Sequence, residues 1–165
     1  MTDNLPEVPN FMTGGCMCGA VRYRISEKPI VAALCHCNRC RPQSGSAFST
    51  VIIIKRSAFE LEGETTVFED VGASDLRVGR RSCARCGSPL TTEADVTPDL
   101  MFVKTGGIDH NEWFRPVMEL FVTPAKAPGR ARARRSAARR DPPIWQANVA
   151  RNAERPVRSI GYRAG

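Results

Sequence analysis

Hydrophobic and polar residues alternate along several short segments of the first 123 residues, with the two-residue period of a half-buried β-strand. The alternation is clearest in residues 20–25 (AVRYRI), which follow turn-forming glycines. Alternation and β-branched residues together predict strands at 20–25, 48–54, 65–71, 76–80, 100–104 and 117–123, with a short helix at 37–43. Since no long helical period occurs, we expect a mainly β fold built as a sandwich, a barrel or stacked small sheets.

The chain changes character near Ala125. Its 165 residues, 42% of them hydrophobic, are enough for one core, so we expect a single domain rather than two. Residues 127–143 (APGRARARRSAARRDPP) are low in complexity, carry charge of one sign and are bounded by proline. Such a composition cannot bury enough apolar surface to order itself, and we predict that residues 125–165 form a disordered basic tail.

The net charge of +7 is unevenly distributed along the chain. Residues 126–165 contain eleven Lys/Arg and two acidic residues, net +9, which leaves 13 basic and 15 acidic residues, net −2, in residues 1–125. Any attraction to nucleic acid is therefore expected from the tail only. Residues 1–13 lack the basic and apolar regions of a signal peptide, and no apolar run has membrane-spanning length, so we expect a cytoplasmic protein without a membrane partner.

Seven cysteines occur in three clusters. They are Cys16 and Cys18; Cys35, Cys37 and Cys40; and Cys83 and Cys86. In a reducing compartment such clusters favour metal binding over disulfides, and an odd number fits a disulfide framework poorly. Soft thiolate ligands favour zinc.

The spacing allows two ways of sharing these ligands. In the first grouping, the two C-x-x-C pairs at 37–40 and 83–86 form a zinc ribbon. This grouping leaves three clustered cysteines without a role. In the other, the pairs at 16–18 and 83–86 form a closed four-thiolate site, and the cysteines at 35, 37 and 40 form a three-thiolate site. A three-ligand zinc keeps a position open for substrate or water. Spacing alone does not choose between the two.

Three segments resemble the glutathione-dependent formaldehyde-activating enzyme family, which also includes centromere protein V. They are residues 14–23 (GGCMCGAVRY), 35–41 (CHCNRCR, with Gly45 and Phe48 after it) and 81–90 (RSCARCGSPL), in the family's order. The resemblance implies a β-tent fold of small antiparallel sheets organised around two zinc ions, in a domain at 13–124. By motif position it implies that Cys16, Cys18, Cys83 and Cys86 hold a structural zinc, and that Cys35, Cys37 and Cys40 hold a catalytic zinc.

The resemblance also implies a reaction and a partner. The family condenses formaldehyde with the thiol of glutathione to give S-hydroxymethylglutathione, formally a carbon–sulfur lyase reaction that runs in either direction. An open thiolate zinc can bind a thiol as thiolate or polarise the aldehyde oxygen. Because three cysteinates already weaken the Lewis acidity of the metal, we favour thiol capture.

Several residues near these motifs have a functional and a structural interpretation. An extended Cys-His-Cys segment points His36 away from the shared metal, so we expect it to pack beside the site. Candidates for binding the carboxylates of a substrate are Arg39, Arg41 and Arg81. The structural interpretation is that an arginine beside thiolates only offsets the negative charge of the thiolates. The Asp109–His110 pair is a candidate acid/base pair in what is otherwise a solvated turn.

The C-terminal part departs from the family pattern. Ala127-Pro128 is followed by glycine and arginines instead of the tryptophan and the acidic, aromatic segment usual in the family. The main alternative to an enzyme is therefore a structural zinc domain whose arginine-rich tail binds nucleic acid without sequence preference. A zinc-stabilised β domain without catalysis is the third hypothesis. The sequence makes no prediction about oligomeric state.

Overall fold

The computed structural model of the protein describes residues 7–122. The predicted tail at 125–165 lies outside these residues, as does the end of the predicted strand at 117–123. The described residues form β1 (Met12–Gly15), β2 (Arg22–Ile25), β3 (Val31–Cys35), α1 (Cys40–Ser44), β4 (Ser49–Lys55), β5 (Phe59–Glu62), β6 (Thr65–Val71), β7 (Arg77–Cys83), β8 (Pro89–Ala94), β9 (Leu100–Lys104) and β10 (Met118–Leu120).

Two sheets make up the domain. A three-stranded antiparallel sheet has the order β1-β2-β5. A seven-stranded sheet has the order β10-β3-β4-β9-β8-β7-β6, and its pairings are antiparallel except that β10 runs parallel to β3. The predicted mainly β fold with antiparallel sheets is thus confirmed.

The main core lies between the two sheets. In β2, the buried Tyr23 and Ile25 alternate with exposed arginines, so the apolar face of the small sheet is continuous. These residues belong to the same buried cluster as Ile52 and Ile54 of β4 and Val103 of β9. One face of the seven-stranded sheet is therefore covered by the three-stranded sheet.

The opposite face of the seven-stranded sheet has its own side chains. A smaller buried cluster there contains Val51, Ala33 and Met118. Side chains that pair directly across neighbouring strands lie on the same face of the sheet. Cys35 pairs with Ser49, and Val51 pairs with Lys104. Cys35 therefore belongs to the face turned away from the main core.

The strand predictions agree with the structure to different degrees. The segments 65–71 and 100–104 coincide with β6 and β9, and the segments 20–25, 48–54 and 76–80 overlap β2, β4 and β7. The helix begins at Cys40 rather than at residue 37. Four strands, β1, β3, β5 and β8, were not predicted. Within residues 7–122, no helix has the length and apolar character needed to cross a membrane.

Candidate metal centres

Four cysteine sulfurs meet where the two sheets adjoin. Cys16 and Cys18 follow β1, and Cys83 and Cys86 lie at the end of β7 and in the turn after it. Cys16 Sγ lies 3.5 Å from Cys18 Sγ, Cys18 Sγ lies 3.9 Å from Cys83 Sγ, and all four sulfurs lie within 4.8 Å of one another. Zinc–sulfur bonds of about 2.3 Å in a tetrahedron separate the sulfurs by about 3.8 Å. The spacing of this four-cysteine cluster thus fits a tetrahedral thiolate site.

Tight turns aim these sulfurs. Gly19 and Gly87, with φ of 75° and 71°, adopt the left-handed conformation that glycine tolerates without cost. The Val21 amide donates to Cys16 Sγ at 3.2 Å. Ser88 links the two turns, because its Oγ accepts from the Met17 amide at 3.1 Å and lies 3.2 Å from Cys86 Sγ.

Ser88 also changes the acidity of its neighbour. Hydrogen bonds from the Ser88 hydroxyl and then from its backbone amide lower the pKa of Cys86 to about 5. This lowered pKa favours the thiolate form of Cys86, which is the form that binds metal.

Three further sulfurs form a separate cluster on the other face of the seven-stranded sheet. Cys35 ends β3, Cys37 lies in the loop and Cys40 begins α1, and their sulfurs lie within 4.8 Å of one another. The Cys40 amide donates to the carbonyl of Cys37 and to its Sγ, both at 3.1 Å. Within residues 7–122, no further histidine, cysteine or carboxylate joins this group, so the three-cysteine cluster supplies three ligands to a four-coordinate metal.

Contacts among these sulfurs set their protonation. Hydrogen bonds with Cys35 and then Cys40 lower the pKa of Cys37 to about 2. Hydrogen bonds with Cys37 and Cys40, together with burial, raise the pKa of Cys35. The three thiols therefore titrate as one coupled group, and a soft cation that displaces their protons gains three thiolate ligands.

Two buried cations lie on the face of the seven-stranded sheet that bears the three-cysteine cluster, and the sequence did not single them out. Arg80 is 7% exposed and Lys104 is 5% exposed. Arg80 Nη1 lies 3.7 Å from Cys40 Sγ and 3.1 Å from Gln43 Oε1, and Nη2 lies 3.3 Å from Asp70 Oδ2. The sequence signal for Arg80 was an arginine within a predicted strand. The sequence does not show which face of β7 is buried, because that depends on how the sheet packs.

The structure places His36 beside the three-cysteine cluster. Its amide donates to the Leu120 carbonyl at 2.9 Å, its ring centroid is 5.9 Å from that of Phe48, and Nε2 lies 3.9 Å from a Glu119 oxygen. The imidazole thus packs between β10 and the loop before β4, as the extended Cys-His-Cys segment suggests.

The three arginines considered as substrate contacts lie in different surroundings. Arg39 is 67% exposed and lies 3.8 Å from Asp70, and Arg41 contacts Asn38 on the surface. Arg81 donates to Glu93 at 3.0 Å and to Thr65 at 2.9 Å, and it is on the opposite face of β7 from Arg80. Arg39 and Arg41 thus border the three-cysteine cluster, whereas Arg81 does not.

Asp109 is held by β1 and β2. Its carboxylate accepts from Thr13 Oγ1 at 2.7 Å and pairs with Arg22, and its amide donates to the Thr13 carbonyl at 2.9 Å. Arg22 and then Thr13 hold the pKa of Asp109 below its usual value. His110 follows with φ of 52°. These contacts give Asp109 a structural role in tying the 105–109 turn to the three-stranded sheet.

The fold and the two clusters define a small β protein with one closed and one open set of thiolate ligands. The family model described as glutathione-dependent formaldehyde-activating enzyme matches residues 11–124, and the chain belongs to this family. A crystal structure of a Rhodobacter sphaeroides protein, determined as a structural-genomics target, shares the fold with a TM-score of 0.50 and 18% identity. That match covers 66% of this chain and 99% of the other. Comparison with curated proteins gave no significant match.

Proposed function

We propose that this protein is a zinc-dependent carbon–sulfur lyase that joins formaldehyde to a small thiol such as glutathione, giving S-hydroxymethylglutathione, or catalyses the reverse reaction. The observation that carries the proposal is the three-cysteine cluster, whose sulfurs lie within 4.8 Å of one another. Membership of the glutathione-dependent formaldehyde-activating enzyme family supports the choice of substrates.

Two zinc ions have different roles in this proposal. Cys16, Cys18, Cys83 and Cys86 would hold a structural zinc, because four thiolates complete its coordination. Cys35, Cys37 and Cys40 would hold the catalytic zinc, which when bound stabilises a substrate thiol as thiolate. All seven cysteines are free in the structure, and a reducing compartment such as the cytoplasm keeps them so.

The proposed reaction balances without an external oxidant or reductant. The thiolate sulfur attacks the carbonyl carbon of formaldehyde, a carbon–sulfur bond forms, and the π electrons of the carbonyl pass to oxygen. That oxygen then takes up a proton, so the thiol proton ends on the hydroxymethyl group.

The protein's own residues supply position and charge for this step. Arg80 Nη1 lies 3.7 Å from Cys40 Sγ, and the same guanidinium group also pairs with Asp70. A shallow groove bordered by Asn38, Arg41 and Ser46 lies beside α1, the helix that begins at Cys40. Arg41 and the exposed Arg39 are suited to the carboxylates of a glutathione-like substrate.

The proposal is tested by the exchange rate between formaldehyde plus glutathione and their adduct, measured by exchange NMR with the zinc-loaded protein. We expect acceleration above the spontaneous rate, its loss in Cys37→Ser together with one zinc, and full retention in Arg24→Gln, since Arg24 is exposed on the three-stranded sheet. A Cys37→Ser variant that exchanges as fast as the wild type would refute the proposal.

A second variant tests the nucleic-acid alternative. A chain that ends at residue 124 should keep the exchange activity, because all seven cysteines precede that point. Loss of nucleic-acid binding in the same variant, without any exchange activity in the full-length chain, would favour the alternative function.

A further inference from the structure

Lys104 is buried on the face of the sheet that bears the three-cysteine cluster. Its Nζ donates to Ser49 Oγ at 2.9 Å, and the two residues are 5% and 1% exposed. Ser49 pairs directly with Cys35 across β3 and β4. Ser49 therefore lies between Cys35 and the Lys104 ammonium group on one face of the sheet.

Lys104 has no carboxylate partner within the described range 7–122. Arg80, the other buried cation there, pairs with Asp70 at 3.3 Å, whereas the contact of Lys104 is with a neutral hydroxyl. A buried charge is costly unless an opposite charge compensates it. The ammonium group of Lys104 therefore requires another negative partner.

The cysteines of the three-cysteine cluster lie on the same face of the sheet and can supply this negative charge. Burial lowers the pKa of Lys104, and the nearby charges of Cys40, Cys35 and Cys37 act against this effect. The shared face of β3, β4 and β9 is thus consistent with an electrostatic link between Lys104 and the sulfurs.

The charge of a loaded site depends on its fourth ligand. A divalent zinc with three thiolates has a net charge of −1, which a neutral fourth ligand leaves unchanged and a thiolate makes −2. In a partly buried site the second negative charge is unfavourable unless a cation lies nearby. Because Asp70 already offsets Arg80, Lys104 is the cation in residues 7–122 suited to this role.

We propose that Lys104 is a positioning residue that selects a thiolate as the fourth ligand of the three-cysteine site by compensating its negative charge. The thiol class rests on the proposed function. Lys104 acts through the charge it places beside the cluster, and Ser49 holds the ammonium group in position.

The test compares an anionic with a neutral fourth ligand on the full-length protein loaded with Co²⁺. 2-Mercaptoethanol and imidazole are titrated separately, binding is followed by the ligand-field and sulfur-to-cobalt absorption bands, and the metal content is measured before and after. The variants are Lys104→Met and, as matched control, Lys55→Met, since Lys55 is 59% exposed on the same sheet and pairs with Glu27.

We expect Lys104→Met to retain both metal ions and to bind 2-mercaptoethanol about tenfold more weakly, as expected for the loss of one nearby charge. Imidazole affinity should change less than about twofold on the same argument, because imidazole adds no charge. Lys55→Met should match the wild type for both ligands. An unchanged 2-mercaptoethanol affinity in Lys104→Met, an equal loss for both ligands, or a wild type that binds neither would overturn the proposal.

Ser49→Ala keeps the test decisive if Lys104→Met does not fold. This variant retains the charge but removes its anchor, and we expect a selective, about threefold loss of 2-mercaptoethanol affinity. Equal behaviour of the two ligands would again overturn the proposal. Selective thiolate loss without any formaldehyde exchange would refute the proposed function alone, whereas exchange without selectivity would refute only the role of Lys104.

Discussion

Cys18 Sγ lies 3.9 Å from Cys83 Sγ, although 65 positions separate the two residues in the chain. Cys18 follows a strand of the three-stranded sheet, and Cys83 ends a strand of the seven-stranded sheet. A metal held by the four-cysteine cluster therefore cross-links the two sheets. The three-cysteine cluster takes all its ligands from residues 35–40 and makes no such link.

We predict that Cys83→Ser destabilises the protein far more than Cys37→Ser. Cys83 is 1% exposed, and its loss removes both a buried group and the cross-link between the sheets. Structural zinc contributes on the order of 10 kcal/mol in small domains, which is comparable with the whole stability of a typical fold. Circular dichroism should show a largely unfolded Cys83→Ser chain and a folded Cys37→Ser chain. Equal melting temperatures for the two variants would contradict this prediction.

We predict two zinc ions per chain in protein purified under reducing conditions without chelator. A chromogenic chelator should remove them in two phases. The first should come from the three-cysteine cluster, because a site with an open position admits a competing ligand. Cys37→Ser should lack the fast phase and keep the slow one. A wild-type protein with a single zinc would contradict the division into four and three ligands.

We predict that Arg80→Met costs about 2 kcal/mol in the free energy of unfolding, because it removes the contacts of a buried side chain with Gln43 and Asp70. Arg80→Lys should cost less, since it keeps the charge while losing the guanidinium fork. Urea denaturation of the zinc-loaded proteins measures both. Arg24→Gln is the matched control on an exposed pair with Glu60, and its cost should stay below about 1 kcal/mol. A control that costs as much as Arg80→Met would refute the argument from burial.

The stabilising effect of Glu93 should depend on pH. Burial raises the pKa of its carboxyl, but Arg56 and then Arg81 outweigh this effect and hold the pKa below 4.5. A carboxyl with a lowered folded-state pKa stabilises the fold above its unfolded pKa, and this contribution disappears as pH falls through the folded pKa. Glu93→Gln should thus cost about 1–2 kcal/mol at pH 7. The difference in free energy of unfolding between Glu93→Gln and the wild type should shrink below pH 4.5 in urea titrations. A difference that stays constant down to about pH 3 would contradict this prediction.

The pattern of hydrophobic and β-branched residues predicted strands such as β6, which has seven residues, and β9, which has five. It missed β1, which contains two glycines, and β3, whose sequence VAALC has no alternation. Those strands form because neighbouring strands pair with them, which local sequence does not reveal.

The same limit applied to the site. Cysteine spacing identified all seven sulfurs as metal-ligand candidates but left two ways of grouping them, and only the distances between the sulfurs separate the groups. Arg80 and Arg81 are adjacent in sequence, yet one approaches Cys40 and the other binds Glu93 on the opposite face. The register of β7 decides which of them borders the cluster.

The difference between a local and a long-range ligand set has a consequence during synthesis. Cys35, Cys37 and Cys40 leave the ribosome together, so they can capture a metal ion while most of the chain is still untranslated. Cys16 and Cys18 must wait until Cys86 has emerged. When the metal is scarce in the cell, a nascent chain therefore competes for it first with the three-cysteine cluster and only later with the four-cysteine cluster, whose ligands come from both sheets.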